Sequence, residues 1–148
     1  MVHALEAVHR LLKPDGTLVD IRPHAEPSIL EVAADGQTLF AEPKREGDHE
    51  GVLDSDRAMN EVLERKKFEV VRGRDFEFFS YGSTAAELRE FWDRYNDYEE
   101  TPKEEEQLSF EDKAYAKADE VRKDSGKDAE VIVHERVRIA RLKPIRSE

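Results

Sequence analysis

The stretch LLKPDGTLVDI, Leu11 to Ile21, restricts the fold more than any other part of the chain. Before it, Leu5, Val8, Leu11 and Leu12 recur every three or four residues and predict an amphipathic helix, with Glu6, Arg10 and Lys13 on its polar side. Lys13 suits the negative C-terminal end of the helix dipole, Pro14 cannot continue the helix, and Asp15-Gly16 supplies a turn that tolerates positive φ. The chain is then released into TLVDI, where Leu18, Val19 and Ile21 predict a strand with both faces at least partly covered.

Further along, SILEVAADGQTLFAE from Ser28 to Glu42 carries two β-prone runs around Asp35-Gly36, the pair that favours a type I′ hairpin. A two-residue turn sets Ala34 opposite Gln37, Val32 opposite Leu39 and Leu30 opposite Ala41. KREGDHEG reads as a surface loop with nothing to bury, followed by a helix from about Ser55 to Lys67 that Asp54 or Ser55 caps and that carries Met59, Val62 and Leu63. Phe68 to Tyr81 predicts a long strand bent near Gly73. Thr84 and Glu87 form a capping box for a helix whose stripe of Leu88, Phe91, Trp92 and Tyr95 reads as core. NDYEETPKEEEQ reads as an acidic linker, or as a tail for a basic partner, and Ser109 with Asp112 suggests the cap of a last helix bearing Phe110, Ala114, Ala118 and Val121. In EVIVHERVRIARL, Val131, Val133, Val137 and Ile139 share one strand face and His134, Arg136 and Arg138 the other, with Glu135 interrupting the apolar side. Antiparallel pairing with the Phe68–Tyr81 strand would bury Phe76 and Phe78 and set Asp75 and Glu77 against the arginines.

Composition limits the function classes. With 148 residues and 38% hydrophobic content the chain predicts one domain. Its formal charge of -11 repels nucleic acid and anionic membranes over most of the surface. There are no cysteines for disulfides, thiolate metal sites or a thiol nucleophile. His3, His9, His24, His49 and His134 lack the spacing that brings two imidazoles to one metal. No apolar run has the ~20 residues of a membrane span and no signal-peptide order is present, so the expected compartment is cytoplasmic.

ALEAVHRLLKPDGTLVDIRP, Ala4 to Pro23, is similar to the helix, LKPGG-like turn and following strand late in the catalytic domain of class I S-adenosylmethionine-dependent methyltransferases; Asp15 stands where the family often has Gly. The resemblance implies an α/β fold: a truncated Rossmann-like sheet, with an added β-hairpin and about four helices. In that family this is the fifth strand of seven, lying between the fourth strand and the last and followed by a helix and two final antiparallel strands. The family holds its cofactor with a Gly-rich loop after the first strand and an acidic residue ending the second. The seven glycines here include no Gly-x-Gly, so the expectation is a C-terminal half without the cofactor-binding half, no cofactor, and no better than weak S-adenosylmethionine binding by the isolated chain.

Arg22, His24 and Glu26 follow the C-terminal end of the strand, where open α/β sheets place ligands; they are either a ligand-side loop or, the favoured reading, a polar loop leaving the strand. Glu135, if buried, would titrate upward. A strand without its fourth-strand neighbour has an open edge, which either the Ser28–Glu42 hairpin or a second copy covers; the second copy is favoured, and Leu18, Val19 and Ile21 then make a candidate interface. Two functions follow: a non-catalytic module that forms a homodimer or binds a protein partner, which is favoured, or one half of a split methyltransferase completed by another chain.

Overall fold

The computed structural model describes residues 1–96, 103–126 and 128–146. Among them lie four helices and an open, five-stranded antiparallel sheet, a mixed α/β structure. The order is α1 (Val2–Leu11), β1 (Leu18–Pro23), β2 (Ile29–Ala34), β3 (Gln37–Pro43), α2 (Glu50–Glu64), β4 (Phe68–Gly82), α3 (Ala85–Asn96), α4 (Glu105–Asp124) and β5 (Glu130–Pro144). The strands run β1-β5-β2-β3, with β4 also paired to β5. No described helix is long and apolar enough to cross a membrane. The chain divides into two compact units: the first holds Met1–Glu26, Asp48–Phe76 and the chain from Arg136, the second Pro27–Gly47 and the described residues between Glu77 and Glu135.

In the first unit, α1 packs on α2, and Val2, Leu5, Val8, Leu12 and Leu18 meet Met59, Val62, Phe68, Ala140 and Leu142. Leu11, expected on the apolar stripe, is 85% exposed, because it lies roughly 120° round the helix from Leu5. Gly16 does not use positive φ in the turn after α1. Its role is close approach: its N–H donates to Lys13 O at 2.9 Å, and a Cβ would come within 2.9 Å of the same oxygen. β1 pairs antiparallel with β5, from Leu18 opposite Leu142 to Pro23 opposite Val137. Only the side of β1 carrying Leu18 is covered; Val19 and Ile21 are 54% and 60% exposed, which corrects the expectation of a strand covered on both faces. α2 begins five residues before the expected Ser55, because Gly51 is accommodated in its first turn; Ser55 Oγ donates back to Gly51 O at 2.8 Å instead of capping. Lys66, at φ 53, closes the helix where glycine is usual, its N–H donating to Leu63 O at 2.9 Å.

In the second unit the hairpin turn is as expected, with Asp35 and Gly36 both at positive φ and Ala34 opposite Gln37. A bulge between Val32 and Ala33 then shifts the register, so Val32 faces Phe40 and Leu30 faces Glu42. Phe40 is therefore the buried residue of β3 and Leu39 is exposed. β2 pairs with the first part of β5, Leu30 opposite Val133 and Val32 opposite Val131. α4 lies against β2 and β3 through Ala114, Tyr115 and Ala118, small residues at 114 and 118 permitting close approach, and α3 packs on α4 through Leu88 and Trp92. Thr84 caps α3 as expected, its Oγ1 accepting from Glu87 N at 3.1 Å, and Glu87 Oε2 reaches back one residue beyond the cap to accept from Ser83 N at 2.8 Å. Phe91, expected in the core stripe, is 54% exposed. α4 starts at Glu105 without a side-chain cap, and Ser109 and Asp112 lie inside it. Of the acidic linker, residues 97–102 lie outside the described residues.

Buried positions along β5 change parity. Val131 and Val133 belong to the second unit's cluster, whereas the first unit buries Ala140 and Leu142. Val137 and Ile139, expected on the buried face, are only half-buried, because α1 and α2 cover the alternate positions. Likewise Phe78 is 47% exposed.

Candidate functional site: the cleft beside β1

β1 presents Asp20 and Arg22 to the side that α2 covers. Arg22 Nε donates to both Asp20 carboxylate oxygens at 3.0 Å, and its Nη1 donates to Asp56 Oδ1 of α2 at 2.7 Å. One guanidinium thus spans two carboxylates with its side chain largely buried, a geometry its planar fork of donors suits. His24 and Glu26 join a different network: His24 Nε2 lies 3.1 Å from Asp75 Oδ1, and Arg136 Nη1 lies 3.7 Å from Glu26 Oε1. Asp75 also accepts from Arg136 Nη2 at 3.0 Å and Arg138 Nε at 3.4 Å. The His24 imidazole, followed by Arg138, holds the Asp75 carboxyl below the usual carboxylate range despite partial desolvation. The expected pairing of Asp75 with the β5 arginines is present, and within the second unit Glu77 meets His134, which stacks on Phe79.

Between these networks opens a cleft of about 410 Å³, with Met59, Leu63 and Leu142 supplying apolar surface and Arg22, Arg74 and Asp75 polar groups. Its size suits a small metabolite. Arg22 and Asp75 are already engaged within the protein, so a ligand there would compete with standing ion pairs. Arg74, by contrast, has no carboxylate partner among the described residues. The sequence-predicted Arg22, His24 and Glu26 therefore serve two separate networks, and of the three only Arg22 lines the cleft.

The second unit holds the most displaced ionisable group. Lys44, placed by sequence in a solvated loop, is only 7% exposed: its N–H donates to Ser28 O at 2.8 Å, and its Nζ lies 4.6 Å from the centre of the Trp92 ring and 6.0 Å from that of Tyr115. Burial lowers its pKa from 10.5 to about 8, against the opposing pull of Glu111. Glu111 is itself buried and accepts from Lys103 Nζ at 2.8 Å. Burial likewise pushes Tyr115 up, helped by Glu111 and Asp93. Glu135 is raised by burial, as expected, and Lys44 offsets part of that rise. An amine near neutrality has the reactivity of a nucleophile or base, but the two rings and its burial leave Lys44 enclosed. Only the packing of α3 and α4 distinguishes Lys44 from the charged residues that follow it; no local signal in the sequence marks it.

The chain matches no protein-family model, no curated protein and no solved structure.

Proposed function

We propose that the protein is a methyltransferase-like, non-catalytic association module that forms a homodimer through the open edge of β1. The observation that carries this is β1 itself. It ends the strand order, pairs only with β5 among the described residues, and exposes Val19 and Ile21 beside its free main-chain edge. Pairing two copies of β1 antiparallel about a two-fold axis would satisfy those main-chain groups and bring the Val19 and Ile21 side chains of the two copies alongside one another. Leu18, the third residue of the candidate interface, stays in the first unit's cluster and acts by holding β1 in place. The family resemblance is supported by the first unit, whose α1, β1, α2, β4 and β5 follow the implied order of helix, strand, helix and two strands, with β1 beside the last strand. Light scattering at micromolar concentration should give a mass near twice 17.1 kDa, and Val19→Lys, at an exposed position, should give the monomer with its fold intact. A wild-type monomer across the concentration range would reject the homodimer.

The cleft beside β1, lined by Asp20 and Arg22, favours a second reading, a half-enzyme whose partner chain brings the Gly-rich cofactor loop. On either reading, calorimetric titration of the isolated chain with S-adenosylmethionine should give no saturable micromolar binding, since the 148 residues hold no Gly-x-Gly.

A further inference from the structure

Ten of the fourteen arginines in this acidic protein are engaged. Arg22, Arg57, Arg65, Arg89, Arg94, Arg122, Arg136 and Arg138 meet carboxylates, and Arg146 donates to main-chain carbonyls. Arg45 is engaged as well. Among the described residues Arg10, Arg72, Arg74 and Arg141 have no partner, and the last three line one hollow of about 300 Å³ with Gly73 and Ile139. Three exposed guanidiniums with no acid among the lining residues repel one another, while the chain as a whole carries -11. An anionic group seated among them relieves that repulsion and gains charge-assisted hydrogen bonds.

The surroundings specify what kind of anion. Ile139 forms an apolar floor, and the register places Ile21 opposite Ile139 and Val19 opposite Arg141, so the exposed apolar residues of β1 share this sheet face. The surface is a strip of alternating charge and hydrocarbon rather than an enclosed cavity. Arg72 and Arg74 stand two residues apart on β4, about 6.7 Å along a strand. That is also the spacing of alternate side chains in an extended polypeptide, so acid-x-acid on one partner matches Arg-x-Arg here. A second copy laid on this same face about a two-fold axis would oppose arginines to arginines. A nucleic acid would extend beyond the hollow across a surface of net negative charge. We infer that Arg72, Arg74 and Arg141 dock an extended acidic segment of another protein, one with apolar residues between or beside its acids. The inference rests on the reading of the chain as an association module, and it assigns the partner's chemistry to a face distinct from the β1 main-chain edge.

The test uses fluorescence anisotropy with three labelled probes: a ten-residue peptide centred on Glu-Leu-Glu-Leu-Glu, its lysine counterpart, and a ten-nucleotide uridylate. The acidic peptide should bind saturably and about tenfold or more tighter than either control, and each single change to glutamate among the three arginines should weaken it severalfold. The triple reversal Arg72→Glu, Arg74→Glu, Arg141→Glu should transfer the preference to the lysine peptide, a gain that an unfolded variant cannot give. An acidic peptide that does not saturate, an affinity unmoved by the triple reversal, or uridylate binding as tightly as the acidic peptide would each overturn the proposal. Solution mass is read in the same samples, so a loss of peptide binding with the dimer intact refutes only the docking site.

Discussion

Lys44 lies beneath Trp92 with its ammonium removed from water, and the cost of that burial has a definite pH signature. The folded protein holds its pKa near 8 while the unfolded chain returns it to 10.5, so between those values the unfolded state binds more protons and stability rises with pH. The penalty is fully present below pH 8. From pH 8 to about 9.5, below the range where tyrosines ionise, unfolding free energy should increase by about 1.5 kcal/mol from this group. Urea unfolding at the two pH values measures it, and Lys44→Met should flatten the rise. A second single-residue test concerns Lys66 at φ 53: Lys66→Gly should stabilise the protein by about 1 kcal/mol, read as a shifted urea midpoint with unchanged slope. The two residues differ in what their neighbours disclose. Asp35-Gly36 announced its positive φ through residue type alone, whereas nothing in VLERKKF says which lysine takes the left-handed position, and nothing in EPKREG says that its one lysine is buried.

Elements were legible where one local rule governed them. The α3 cap is written in Thr84 and Glu87, and Thr84→Ala should cost about 1 kcal/mol in thermal or urea unfolding by leaving the Glu87 N–H without its acceptor. Errors fell where two rules competed. KREGDHEG read as a loop up to Gly51, yet α2 begins at Glu50 and takes Gly51 into its first turn; Ser109 and Asp112 looked like a cap, yet Glu105 and Glu106 already suit the positive end of the α4 dipole. The β2 bulge exchanges Leu39 for Phe40 in the core, and no residue pattern in ILEVAA records it. Strict alternation along β5 predicted one buried face throughout; which parity is buried depends on which helices cover each part, a long-range fact that a period of two does not contain. The pairing of Asp75 with Arg136 and Arg138 survived that error because polar alternation fixes which residues share a face, whichever side is covered; Glu77, expected against the same arginines, meets His134 instead, since alternation does not fix register.

At the level of the whole chain, two kinds of association respond to salt in opposite ways. Copies carrying -11 each repel, so added salt should strengthen a homodimer, whereas an acidic segment on Arg72, Arg74 and Arg141 should be weakened by the same change. The candidate site was legible only in outline: of Arg22, His24 and Glu26 only Arg22 lines the cleft, and their partners Asp56, Asp75 and Arg136 come from α2, β4 and β5 and follow from the folded topology alone. Absence of cysteine makes β1 accessible to a clean test. Single cysteines placed in turn from Val19 to Ile21, oxidised at micromolar concentration, report whether two β1 strands run side by side. The dimer described here predicts rapid formation of a disulfide-linked pair at one or more of these positions, and none for cysteine at the equally apolar, exposed Leu39. Equal, slow cross-linking at all four positions would contradict it.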